Sequence, residues 1–155
     1  MSTLSHALLV MALAATPVSE LRGAIPLALF QFKFEPWSAL GLAVVGNLLP
    51  VPFLLLGLGK ARLLAQRVPS LQRILAWWME RTTRQHARKF ERFGAVVLVA
   101  FVAIPFPATG AWTASLAAVL FGVPFRKAFG LIALGVVVAG GVVTLASLGV
   151  LSLGR

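Results

Sequence analysis

The stretch Thr16-Pro17-Val18-Ser19-Glu20-Leu21-Arg22-Gly23-Ala24-Ile25-Pro26 decides how this chain folds. It sets a carboxylate and a guanidinium between two apolar stretches, Leu4 to Val18 and Leu27 to Phe34. As helices these would reach only about 22 Å and about 12 Å, whereas crossing hydrocarbon takes roughly 20 apolar residues over about 30 Å. Charged groups at membrane depth are costly unless paired or hydrated, and by default they mark functional sites. The chain has only four acidic residues, and Glu20 is one of them.

Composition sets the solvent in which that stretch is read. Of 155 residues, 59% are hydrophobic and 12% charged, with a mean hydropathy of +0.94, the profile of an integral membrane protein. A soluble domain of this size has too little interior to hide so much apolar surface. With no cysteine, disulfides and thiolate metal sites are excluded, and the redox compartment stays open. There is no Asp, and the imidazoles are limited to His6 and His86, so a metal centre or a Ser-His-Asp triad lacks its parts. The expectation is a protein that is not an enzyme and carries no cofactor or metal.

The formal net charge is +10, which on a soluble protein would point to nucleic acid. Its distribution argues otherwise. Nine of the 14 basic residues fall between Lys60 and Arg92, and Arg126 and Lys127 sit between later apolar stretches. That is the positive-inside pattern of cytoplasmic loops, and no aromatic-interleaved basic surface for nucleic acid stands apart from the apolar stretches.

Two stretches are long enough to span, Trp37 to Leu58 and Ala128 to Leu153. Ala95 to Ile104 and Ala111 to Phe125 fall short, like the first two. The short stretches come in pairs, each interrupted by helix breakers: Ser19 to Pro26, and Pro105-Phe106-Pro107-Ala108-Thr109-Gly110. Each pair reads as a re-entrant helical hairpin. Irregular backbone is tolerated at that depth only where it is buried in protein or lines a wet cavity, so the two hairpins are expected to face each other.

With residues 59–92 as a cytoplasmic basic loop, the hairpin over 93–125 opens inward, the hairpin over 1–35 opens outward, and the helices 37–58 and 128–153 cross. Hairpin plus helix, repeated in opposite orientation, is an inverted repeat, the plan of transporters with midplane sites. The fold expected is therefore an all-α, multi-pass integral membrane protein of one domain. Leu71, Ile74, Leu75 and Trp78 recur at helical spacing within the basic loop, which suits an interfacial helix on the anionic inner leaflet. Two rival readings stand beside this one. Leu4 to Val18 could be a signal peptide, although no Lys or Arg precedes it, or each hairpin could be one long tilted helix.

Glu20 to Pro26, and Phe93-Gly94 followed by Val102-Ala103-Ile104-Pro105-Phe106-Pro107-Ala108-Thr109-Gly110-Ala111-Trp112-Thr113, resemble the signature segments of the small multi-drug export protein family. That family is similar in turn to the DedA and VTT-domain membrane proteins. Ala108 stands where the family usually has Gly, and Ala114-Ser115 where it usually has Gly-Ala. The resemblance implies membrane transport, and for the DedA relatives the flipping of polyprenyl-phosphate or phospholipid carriers with proton coupling. Carried onto this chain, it makes Glu20 the protonatable group, Arg22 the partner of an anion or of that carboxylate, and Pro105 to Thr113 the facing half of the pathway.

Each role has a physical reason and a plainer rival. Burial and a neighbouring guanidinium act in opposite senses on a carboxyl's hold on its proton, so Glu20 beside Arg22 suits a switch. The rival is a static ion pair at the hairpin tip. Arg22 also suits a phosphate, which its planar fork meets with two hydrogen bonds. Gly23 and Pro26 belong to the break itself. Pro105, Pro107 and Gly110 free backbone groups for a ligand, and Thr109 and Thr113, four residues apart, offer hydroxyls on one helical face. Trp112 serves either as a structural anchor or as a stacking surface. Asn47 serves either in a hydrogen bond between helices or in substrate contact.

The run from Gly135 to Gly141 has small-xxx-small spacing that fits packing within the chain or in a homodimer. The function expected is a plasma-membrane transporter of an amphipathic substrate, lipid phosphate first and small cationic drugs as the alternative. A structural or assembly protein that moves nothing is the rival from another class. An intramembrane enzyme on lipid phosphates lacks a convincing nucleophile and acid-base set.

Overall fold

The structure is a computed structural model that describes residues 3–65, 99, 102–103 and 110–153. Among these residues every regular element is a helix: α1 (Thr3–Ala15), α2 (Glu20–Phe30), α3 (Pro36–Leu48), α4 (Pro50–Ala65), α5 (Ala111–Leu120) and α6 (Phe125–Leu153). Two spans are long and apolar enough to cross a membrane. They are Pro36–Lys60, 25 residues, and Phe125–Val150, 26 residues.

α1 and α2 form a helical hairpin. Thr16 closes α1 with its hydroxyl, which donates to the Leu13 carbonyl at 2.8 Å and accepts the Ser19 N–H at 3.3 Å. That local bonding competes with the helical ladder and turns the chain. At the open end the His6 ring stacks on Phe32 with centroids 4.2 Å apart, so the start of α1 lies beside the end of α2.

The break is shorter than the sequence predicts. Gly23 and Pro26, expected inside it, lie within α2, which runs through Pro26. The turn is confined to residues 16–19, because Thr16 and Pro17 stop α1 while Glu20 restarts the helix. Pro26 costs the ladder one N–H, and α2 offsets this by burying Leu21, Ala24, Ile25, Ala28 and Leu29 at helical spacing.

Pro36 starts the first span where its missing N–H costs nothing. The helix passes a one-residue interruption at Leu49, before Pro50, and continues to Ala65. Lys60 is therefore helical and exposed rather than in a loop. The remainder of the basic loop, including the expected interfacial helix, lies outside the described residues.

α6 begins at Phe125, so Arg126 and Lys127 stand exposed in its first turn. The macrodipole disfavours cations there, so α6 gains nothing from them. Ala128, Ile132, Val136 and Ala139 line its buried face, while Leu134, Val137, Val138, Val142 and Leu145 are exposed. A helix apolar on every side, with large apolar side chains exposed along its outer face, suits lipid.

Alanine dominates the core, which lets the helices approach closely. α1 packs on α2 and α3, α4 on α5, and α6 on α2 and α3. Three glycines mark close approaches between elements. A Cβ on Gly46 would run into the Met11 backbone, one on Gly135 into Val102, and one on Gly140 into Leu40. Gly135 and Gly140 thus serve packing within the chain, whereas Gly141 faces open space.

Candidate functional site

Glu20 opens α2 with φ at 46°, a left-handed conformation that disfavours a residue with a side chain. The carboxylate it carries is buried, at 8% exposure. It accepts a hydrogen bond from the Trp112 backbone N–H, one of the donors that the first turn of α5 cannot use within the helix. A helix N-terminus holds anions through such N–H groups and its dipole. The carboxylate lies so close to Gly110 that a Cβ there would overlap both of its oxygens. Gly110 has φ at 165°, extended backbone that any residue adopts, so the requirement is for space.

A second bond runs the opposite way. The Trp112 indole N–H donates to the Ala15 carbonyl at 3.1 Å, across 97 residues of sequence. Ala15 closes α1, where carbonyls lack helical donors. The end of α1 and the start of α5 therefore satisfy each other: Glu20 completes the start of α5, and Trp112 completes the end of α1. The Arg22 guanidinium stands near enough to act electrostatically on the Glu20 carboxylate.

Thr113 is already engaged. Its hydroxyl accepts the Gly110 N–H at 3.1 Å and donates to the Gly110 carbonyl at 3.2 Å, which fixes the turn that holds Glu20. Pro105, Pro107 and Thr109, the remaining predicted site residues of the second break, lie outside the described residues. Among the described residues no group of acidic, His or Cys side chains is arranged to hold a metal ion.

A family model described as "Putative small multi-drug export protein" matches residues 20–142. The chain belongs to this small multi-drug export protein family. No curated protein and no solved structure matches it. The family match and the two apolar spans make it a membrane protein of transporter type.

The small multi-drug export match opens on Glu20 and takes in Gly110 and Trp112, while α1 lies outside it. Yet α1 supplies the Ala15 carbonyl and the Met11 backbone that backs Gly46. Sequence reasoning missed Thr16, whose hydroxyl makes the turn, and the one signal for it is a Thr directly before a Pro. It also missed Ser115, fully buried and bonded to the Ala111 carbonyl at 2.6 Å. Asn47 has 1% of its surface exposed, and its neighbour Gly46 forms the crossing with α1.

Proposed function

We propose that the chain is a DedA-like carrier of the plasma membrane, crossing it several times, that moves an amphipathic substrate past a midplane site between two inverted re-entrant halves. A polyprenyl phosphate or phospholipid is the favoured cargo. One observation carries this reading. An anion, the Glu20 carboxylate, occupies the N-terminus of α5 with Arg22 beside it, so the joint between the two breaks has the chemistry to hold a phosphate. Exchange of Glu20 for a phosphate oxygen there, with the carboxylate taking up a proton as it leaves, couples cargo to protons. The basic residues between Lys60 and Arg92 hold the protein against anionic inner-leaflet lipids, and a homodimer thickens the wall of the pathway.

Reconstitution into liposomes tests this reading. Translocation of a labelled polyprenyl phosphate is expected in the native protein, lost in Arg22→Ala and stripped of its pH dependence in Glu20→Gln. The family description favours a second reading, export of small cationic drugs. Drug efflux without lipid movement selects it. A folded protein inactive in both assays is a structural component of the membrane instead.

A further inference from the structure

The side-chain oxygen Oδ1 of Asn47 is buried and accepts no hydrogen bond from the described residues. Such atoms are rare in native proteins, and each calls for a reason. The other buried neutral polar side chains show that this fold can satisfy its own: Ser115, Thr144 and Ser147 each donate to the carbonyl four residues back. Asn47 is the exception among them.

Its neighbourhood is short of donors. Pro50 and Pro52 have no N–H, so the carbonyls of Gly46 and Leu48 lose the partners that a regular helix gives them four residues on. The turn around Asn47 is thus rich in oxygen acceptors. Its depth follows from the α1 crossing. Gly46 abuts the Met11 backbone, and Ala15, whose carbonyl takes the Trp112 indole N–H, lies one turn farther along α1, about 6 Å. Asn47 therefore sits within about one helical turn in depth of the joint between the two breaks.

An acceptor without a donor is complemented by a group that brings N–H or O–H. A phosphate, which offers acceptors, does not fit it. At hydrocarbon depth the strongest complement to a lone acceptor is a charged donor. We propose that Asn47 is a recognition residue for a protonated amine, an ammonium that bears N–H. Its source is either a free amphipathic amine or the ammonium of a lipid headgroup. The proposal rests on the carrier reading and selects, among its substrates, those that carry an amine.

Paired probes of equal charge, with and without N–H, test it on the full chain. In detergent, native protein is expected to bind dodecylamine about tenfold tighter than dodecyltrimethylammonium, the worth of one charge-assisted hydrogen bond at the low end of its range. In Asn47→Leu the ratio falls to about one, with the melting temperature of the ligand-free protein unchanged or raised, since an apolar side chain relieves the orphaned oxygen. Asn47→Asp keeps an acceptor and adds charge, so it is expected to tighten both ligands while the preference for the N–H-bearing probe is kept or widened.

In vesicles, translocation of acyl-labelled phosphatidylethanolamine against phosphatidylcholine makes the same comparison on lipids. Selectivity in the lipid arm assigns the ammonium to a headgroup, and selectivity confined to the detergent arm assigns it to a free amine. No preference in either arm, or a preference that survives Asn47→Leu, overturns the proposal and leaves ordered water as the partner of Oδ1. Binding selectivity without translocation preserves the site and sinks the carrier reading.

Discussion

The two spans answer the same demand, crossing hydrocarbon, with opposite chemistry. α6 runs for 29 residues without a proline, and its Thr144 and Ser147 hydroxyls are spent on its own carbonyls. The first span carries Pro50 and Pro52, an interruption at Leu49 and a buried amide oxygen with no partner among the described residues. Two of their glycines differ in kind as well. Gly46 faces the backbone of Met11, which has no rotamer to change, whereas Gly140 faces the end of the Leu40 side chain, which has. One span is a self-sufficient wall, and the other is fitted to something outside itself.

The hardest way to break that contrast is Gly46→Val. The added carbons would run into the Met11 carbonyl and Cα, and overpacking against backbone costs about 3 kcal/mol. Thermal unfolding of the purified protein is expected to show it, whereas Gly140→Ala moves the midpoint far less because Leu40 can rotate. Native-like melting of Gly46→Val would mean that α1 and α3 do not cross there.

Gly110→Ala comes next, at about 2 kcal/mol, because its Cβ displaces the Glu20 carboxylate. Adding Glu20→Ala should recover part of that loss. A double-mutant cycle reads the coupling between the two breaks directly, and additive losses would show that Glu20 and Gly110 do not touch.

What was legible in the sequence and what was not divide along the same line. Both spans could be read from length and apolarity, because lipid imposes those locally. The hairpin of α1 and α2 could be read from stretches too short to cross. Pro26 misled, since a proline's local cost says nothing of the packing by Leu21, Ala24 and Ile25 that keeps α2 helical through it. That the two breaks would face each other was an expectation from the cost of irregular backbone in hydrocarbon. The atoms that meet, Glu20 with the Trp112 N–H and the Trp112 indole with Ala15, are paired by tertiary approach, which no spacing along the chain encodes. The orphaned Oδ1 of Asn47 is likewise a fact about what failed to come near it.

The smallest effect sharpens the contrast most. Thr144→Val removes a hydroxyl that, among the described residues, bonds to the Gly140 carbonyl, at 2.8 Å, and that carbonyl keeps the backbone N–H that a regular helix supplies from residue 144. The valine fills nearly the same volume, so a loss below about 1 kcal/mol is expected, in the range of single polar contacts between membrane helices. Asn47→Leu, on the other span, is expected to leave stability level or raise it while changing what the protein binds. Each substitution trades a buried polar side chain for an apolar one, and their outcomes differ because one polar atom is satisfied by its own helix and the other is not. If Thr144→Val instead cost about 2 kcal/mol or more, its hydroxyl would be serving a partner beyond α6, and the last span would be no more self-sufficient than the first.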